Sequence, residues 1–476
     1  MSNQLDHGGA DPSPDQPEPT TRPVGGTEYS WCRAVPAGTG ITVLVLLLSK
    51  PPEIQILQNA LHKLQSSHPI LRSKLHFDAV ANTFSFVASP SPYLQIQQFD
   101  LASTADIVTS AAADGIEKFS IPKHQLVIEH EMNKNPWATD PNADAELFFV
   151  SSYALSDTRW VLALRLHTGA CDRSSAVALL AELLELVGGG KEMEVGSGSG
   201  SGLGLGLGIE ECIPSGKANK PFWARGKDML GYSLNALRTA NLEFVDAAGS
   251  PRCSRLVRLM LSSDHTAKLV AACNARNIKL CAVLAAAAMI AARSTKDLPD
   301  QLQREKYSIA TLLDCRSILD PVLSIHHLGF YHSAITNSHD VNMEDKLWDL
   351  AERCYKSYAD AKNNNKHFSD MSDLNFLMVK AIENPGLTPS SAQRTALVSV
   401  FENALIDDTN DLHSLLGIED FVGCASIHSV GPSLAIFDTI RNGELDCACV
   451  YPWPLHSREQ MHKFVDDIKR ILVDAL

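Results

Sequence analysis

The stretch His167-Thr-Gly-Ala-Cys-Asp172 gathers an imidazole, a hydroxyl, a thiol and a carboxylate into one short turn. An imidazole takes up and returns a proton near neutral pH, so His167 is a candidate general base. A thiol beside a helix start can be ionised by the helix dipole, which makes Cys171 a conceivable nucleophile. No third residue that would orient such a pair is identifiable, and Cys171 also fits as a small buried apolar filler. Asp172 stands where a helix N-cap belongs. The apolar run Val161-Leu-Ala-Leu-Arg-Leu166 leads in, and Arg173-Ser-Ser175 leads out into an amphipathic stretch from Ala176 to Leu186. Strand, polar turn and helix N-terminus put a polar side chain at the mouth of a cleft. The plainer alternative is that these residues only end a strand and cap a helix.

This layout resembles the His-His-x-x-x-Asp-Gly core of the superfamily of nonribosomal peptide condensation domains, alcohol acetyltransferases and plant BAHD acyltransferases. The resemblance implies that the second His accepts the proton of an alcohol or amine attacking a thioester carbonyl. It also implies that the Asp is held in a salt bridge and that the Gly leaves room for substrate. Ser175 stands three residues after Asp172, where the family commonly has Ser, and Leu179, Leu180 and Leu183 follow at helical spacing. Asp172 then matches the motif Asp, His167 the first His, Thr168 the second, and Arg173 occupies the Gly position. A register shifted by one would make His167 the catalytic histidine, with Cys171 at the Asp position and Asp172 at the Gly position. Thr168 cannot replace an imidazole, because its hydroxyl does not titrate near neutral pH. Losing a general base costs about 10²–10⁴-fold in rate, while proximity and electrostatic effects survive. Two functions stay open. One is transfer of an acyl group from acyl-CoA using His167 or another histidine. The other is a catalytically lapsed binding or interaction protein, which the bulky Arg173 favours because it would narrow the site.

Further segments are similar to the same superfamily. Ala60-Leu-His-Lys-Leu64 followed by His68-Pro-Ile-Leu-Arg72 is similar to its N-terminal signature, and Glu129 to Trp137 to the segment before its central strand pair. Leu313-Asp-Cys-Arg316 followed by Gly329, and Ala425-Ser-Ile-His-Ser-Val-Gly431, resemble strands of its second lobe. The Asp-Phe-Gly-Trp-Gly motif of the plant branch is absent. The resemblance implies an α/β chain of two chloramphenicol acetyltransferase-like lobes in a V, with an interlobe tunnel. The lobes are expected at 28–187 and 221–476. No bound cofactor is implied; acyl-CoA enters as co-substrate from one face and a small-molecule acceptor from the other, meeting beside His167 and Thr168. Ser426, His428 and Gly431 are tunnel candidates. Arg316 is the expected partner of Asp172, since a guanidinium fork suits a fixed carboxylate in a dry cleft; otherwise it is an ordinary surface arginine. Relatives of this kind point weakly to a monomer.

The bulk properties agree with such a protein. The 476 residues suit two domains, and a hydrophobic share of 45% with 20% charged is ordinary for a globular chain. The formal charge of −14 argues against nucleic acid or an anionic membrane as partner. Ile41 to Leu48 has the length of a buried strand, and the Ala-rich Leu280 to Ala292 reads as a buried helix, not a membrane span. The N-terminus lacks the basic and apolar regions of a secretion signal, and eleven scattered cysteines without Cys-x-x-Cys suggest reduced thiols in the cytoplasm. Cys447-Ala-Cys449 lacks a second ligand pair, so no metal is expected.

Residues 1–27, rich in proline, are expected to be a disordered tail, and 188–220, rich in glycine and serine, a flexible crossover. The glycines there lack the spacing and preceding strand of a nucleotide loop. Nor is there a Gly-x-Ser-x-Gly elbow, a His-Glu-x-x-His or a Walker loop. His326-His327 has no Asp-Gly at motif distance. Strands are predicted at 40–49, 145–155, 159–167, 306–314, 329–337 and 422–430, and helices at 53–66, 173–187, 279–294 and 457–475. Arg441-Asn-Gly-Glu444 reads as a two-residue hairpin between strands.

Overall fold

A computed structural model of the chain describes residues 20–112, 119–138, 144–189, 204–246, 252–296, 304–386, 393–407 and 410–476. The architecture is mixed α/β, two lobes built around three sheets. At its centre Thr39–Leu48 is buried at every residue, as a nearly continuous apolar strand must be when both sheet faces are covered. It belongs to a five-stranded sheet in the order Ile418–Ile427, Thr39–Leu48, Arg159–His167, Phe148–Ser156, Ile96–Phe99. The first strand of that order comes from the second half of the sequence. It pairs antiparallel with Thr39–Leu48, so residues 28–187 do not complete their own sheet.

The larger, seven-stranded sheet runs His332–Asn342, Arg304–Asp314, Val398–Phe401, Leu434–Arg441, Glu444–Trp453, Cys253–Leu261, with Leu405–Asp407 also pairing Leu434–Arg441. Asn442 and Gly443 both have positive φ, 53° and 74°, and close the hairpin that registers Arg441 with Glu444. That is the backbone an Asn-Gly turn supplies most readily. One face is covered by Leu280–Ser294, nearly all buried, and by Arg458–Asp474, whose Met461, Phe464, Val465, Ile468 and Leu472 recur at helical spacing. The Ser457 hydroxyl caps the latter helix by accepting from Gln460 N at 3.1 Å. Among the described residues no single helix is long and apolar enough to cross a membrane; Ser263–Ala275 and Leu280–Ser294 meet at a 106° bend.

Two low-complexity expectations change. Of the expected tail 1–27, residues 1–19 lie outside the described residues, but Thr21–Pro23 pairs with Thr83–Ala88 and a helix, Gly26–Ala37, begins at once. Of the expected crossover 188–220, residues 190–203 lie outside the described residues. From Gly204 the chain is built against the first helix: Leu205, Ile209 and Cys212 are buried, and the Glu210 carboxylate accepts from the backbone N of Thr27 at 2.6 Å. Leu205, Ile209 and Cys212 supply the apolar surface that this packing buries. A second helix the sequence reading did not place, Lys123–Asn133, ties the sheets together through Glu129. The carboxylate of Glu129 lies 2.7 Å from Arg458 Nη2 and also accepts from the backbone N of Leu256 at 3.1 Å.

Candidate functional site

Between the five-stranded and the seven-stranded sheet lies a cavity of about 820 Å³. Thr42, Leu44 and Thr168 approach it from one sheet, and Ala310, His332, Ser399 and Phe437 from the other. Its walls are mainly apolar, with Leu312, Phe330 and Phe401 among them, and Trp31 of the first helix packs on Phe330 with ring centroids 5.1 Å apart. A cavity of this size suits a small-molecule ligand.

The polar corner of the cavity is organised by Asp172. Arg159–His167 ends, the chain turns, and Asp172 caps Arg173–Val187 by accepting from Ser175 N at 2.9 Å. Its other oxygen accepts from Tyr331 N at 2.8 Å and lies 2.9 Å from Arg316 Nη2. Arg316 is buried, and its second arm holds Asp314 at 3.0 Å. Burial by itself would raise the Asp172 pKa, but Arg316, His332 and the Ser175 amide hold it well below the ordinary carboxylate range. Arg316 is thus no surface arginine; it clamps the helix cap of one lobe to a strand end of the other.

The structure separates the two residues expected at the base position. Thr168 lines the cavity, and its hydroxyl is 2.6 Å from that of Thr42. His167 does not line it. The ring is fully buried, edge-on to Trp137 at 5.3 Å, with Nδ1 accepting from Gly169 N at 3.1 Å and Nε2 lacking a partner. Burial pushes its pKa down to about 3, so it stays neutral. Strand alternation explains the split: neighbouring residues at the strand end point to opposite sides of the sheet. Cys171 is also fully buried, and burial together with Asp172 pushes its thiol pKa well up.

Arg173, in the expected Gly position, reaches the cavity wall and is folded against the other lobe. Its Nη1 lies 3.2 Å from Asp438 Oδ1, its Nη2 donates to the Asp438 carbonyl, and the guanidinium stacks 4.1 Å from the Phe401 ring centroid. Burial drives the Asp438 pKa up against the pull of Arg173. Of the three tunnel candidates, Ser426 and Gly431 line the cavity, and Ser426 Oγ accepts from Ile41 N at 3.0 Å. His428 does not. It turns back onto Gly38, with Nδ1 3.0 Å from Ser254 Oγ, and burial with Arg394 nearby brings its pKa down to about 4. Gly38, at φ 107°, could carry no side chain there: a Cβ would fall 1.9 Å from His428 Nε2.

One residue that the sequence reading did not single out stands at the polar corner. His332 opens the strand His332–Asn342, in register with Asp314, and lines the cavity. Its Nδ1 is 3.1 Å from Asp172 Oδ2, in a bent approach that is a close electrostatic contact more than a straight hydrogen bond. The ring stands edge-on to Phe401 at 5.9 Å and tilted against Phe330 at 6.1 Å. The only local signal was a histidine at a strand start three residues after Gly329. Among the described residues no group of His, Cys, Asp and Glu is arranged to hold a metal ion.

No family model matches the sequence, and no curated protein matches it. Solved structures do match. The trichothecene 15-O-acetyltransferase from Fusarium sporotrichioides superposes with a TM-score of 0.69 at 13% identity, over 96% of each chain. The polyketide synthase associated protein 5 from Mycobacterium tuberculosis gives 0.64 at 18% identity, over 96% of this chain and 98% of that one. The first condensation domain of the calcium-dependent antibiotic synthetase, solved with a substrate analogue, gives 0.60 at 14% identity, over 94% of each chain. At these identities the likeness concerns the fold. With its paired sheets, its exchanged strand and the cavity between them, this chain has the two-lobe chloramphenicol acetyltransferase-like fold shared by condensation domains and acetyltransferases.

Proposed function

We propose that this protein transfers an acyl group from an acyl-CoA thioester to an alcohol or amine within the interlobe cavity. The observation that carries the reading is the cavity itself, about 820 Å³ of mostly apolar space with one polar corner drawn from both lobes at Thr168, Arg173 and His332. Apolar walls exclude water from the thioester, and holding two reactants in register supplies much of the acceleration such a reaction needs. A cytosolic, monomeric protein is part of the same reading.

The test is release of free CoA from a panel of acyl-CoAs, with and without small alcohols and amines, alongside mass spectrometry of the acceptor. Acceptor-dependent thiol release with an acylated product is the expected result. Ala310→Phe, which projects a ring into the cavity, should raise KM at least tenfold. No release and no product across the panel would overturn the reading.

A second reading, a lapsed enzyme that binds such ligands without turnover, draws on Thr168 being engaged with Thr42 and on Arg173 filling the expected Gly position. One fold neighbour, the X-domain from teicoplanin biosynthesis, was solved in complex with OxyB. Acyl-CoA binding by calorimetry in the absence of any product would favour this reading.

A further inference from the structure

We propose that His332 is the general base of this transfer, with Asp172 as its positioning residue. The inference rests on the transferase reading above. Thr168 cannot take a proton at neutral pH, and His167 lies behind the cavity wall with one ring nitrogen occupied by the Gly169 amide. Among the described residues, His332 is the histidine that lines the cavity, beside Asp172 at its polar corner.

Its placement between Asp172 and the cavity suits a base. Nδ1 is buried against Asp172 Oδ2 at 3.1 Å, so Nε2 is the nitrogen left to the cavity. Asp172 is itself immobilised by Ser175 N, Tyr331 N and Arg316, and cannot follow the ring if the ring moves. A carboxylate on one imidazole nitrogen fixes the tautomer and steadies the imidazolium that forms, the division of labour of a Ser-His-Asp site. The bent approach is common in a site without substrate and tightens when the acceptor arrives. The charged groups facing this corner are Asp172, Arg316 behind it, and Arg173 beside it, the last neutralised by Asp438.

The step balances without a further reagent. The acceptor O–H or N–H gives its proton to His332 Nε2 as its heteroatom bonds to the thioester carbonyl carbon. The tetrahedral intermediate collapses, the C–S bond breaks, and the departing thiolate takes the proton back from the imidazolium. The products are an ester or amide and free CoA thiol.

The decisive variant is His332→Asn, whose amide can still face Asp172 but places nothing at the Nε2 position; His332→Ala is its companion. With a wild-type circular dichroism spectrum, His332→Asn should lose about 10²- to 10⁴-fold in kcat while KM for the acyl-CoA stays unchanged. Undiminished kcat in His332→Asn beside an active wild type overturns the base and leaves the transferase reading standing. An inactive wild type overturns both. A measurement independent of turnover is the ¹⁵N spectrum of histidine-labelled protein. The proton of neutral His332 should sit on Nδ1, and Asp172→Asn should release that preference; a proton on Nε2 in the wild type overturns the proposal.

Discussion

His332 Nδ1 and Asp172 Oδ2 meet at 3.1 Å where a strand start of the second half lies on a helix cap of the first. The same carboxylate receives Arg316 at 2.9 Å. The helix cap, the lobe junction and the cavity corner therefore share one pair of oxygens, and a change at Asp172 is felt at all three.

Asp172→Asn keeps an acceptor for the Ser175 amide but removes the charge, leaving Arg316 buried with Asp314 alone. Breaking a buried pair from one side costs about 3–5 kcal/mol, and Asp172→Ala should cost about 1 kcal/mol more for the lost cap. The pH dependence follows from the depressed carboxyl. As pH falls, the unfolded chain binds its proton first, near the ordinary value of about 3.9. The contribution of Asp172 is therefore whole above about pH 4 and drains away below it. Urea unfolding from pH 5 to pH 2 should show a steeper loss in the wild type than in Asp172→Asn. Equal slopes would contradict the pairing.

His167 sets a second acid window of a different origin. Its pKa falls from 6.5 unfolded to about 3 folded because burial penalises the imidazolium. Between these values the unfolded state holds a proton that the native state refuses, so stability drops as pH falls, by up to about 1.4 kcal/mol per pH unit. Below about pH 3 both states are protonated and the loss levels off. His428, brought down to about 4, acts the same way over a narrower range. His167→Gln, which never charges, should flatten the slope between pH 6 and pH 4 by close to one proton. A slope identical to the wild type would show that His167 is solvated.

Arg173 and Asp438 should behave as a coupled pair. Either Arg173→Gly or Asp438→Ala alone leaves its partner's charge buried, at about 3–5 kcal/mol. The double variant should cost clearly less than the sum of the two, and additive losses in a double-mutant cycle would refute the coupling. Removing Arg173 also withdraws a side chain from the cavity wall, so the double variant should accept bulkier acyl chains than the wild type.

What was legible in the sequence was local. The buried strand Thr39–Leu48 shows as an apolar run, the hairpin at Asn442-Gly443 as turn chemistry, and Asp172 as a cap before an amphipathic helix. Arg316 is legible only through the likeness to a known motif. The helix Gly26–Ala37 was hidden by the proline-rich segment before it and by Pro36 inside it. Among the late-strand candidates, alternation alone could not assign faces, because a register irregularity lies between Ala425 and Ile427 and His428 falls past the strand end. His332 was invisible for a different reason. Its importance lies in a contact between segments far apart along the chain, and no periodicity records such a meeting.

The strand Ile418–Ile427, lent by the second half to the sheet of the first, limits how this protein can be handled and how it can move. Cutting the chain at the crossover would bare the flank of Thr39–Leu48, a long apolar edge prone to aggregate, so neither half is expected to survive expression by itself. The same stitch is a tether. It resists any wide, jaw-like swing of one lobe from the other, and the proposed substrates would have to thread their way in instead of being engulfed.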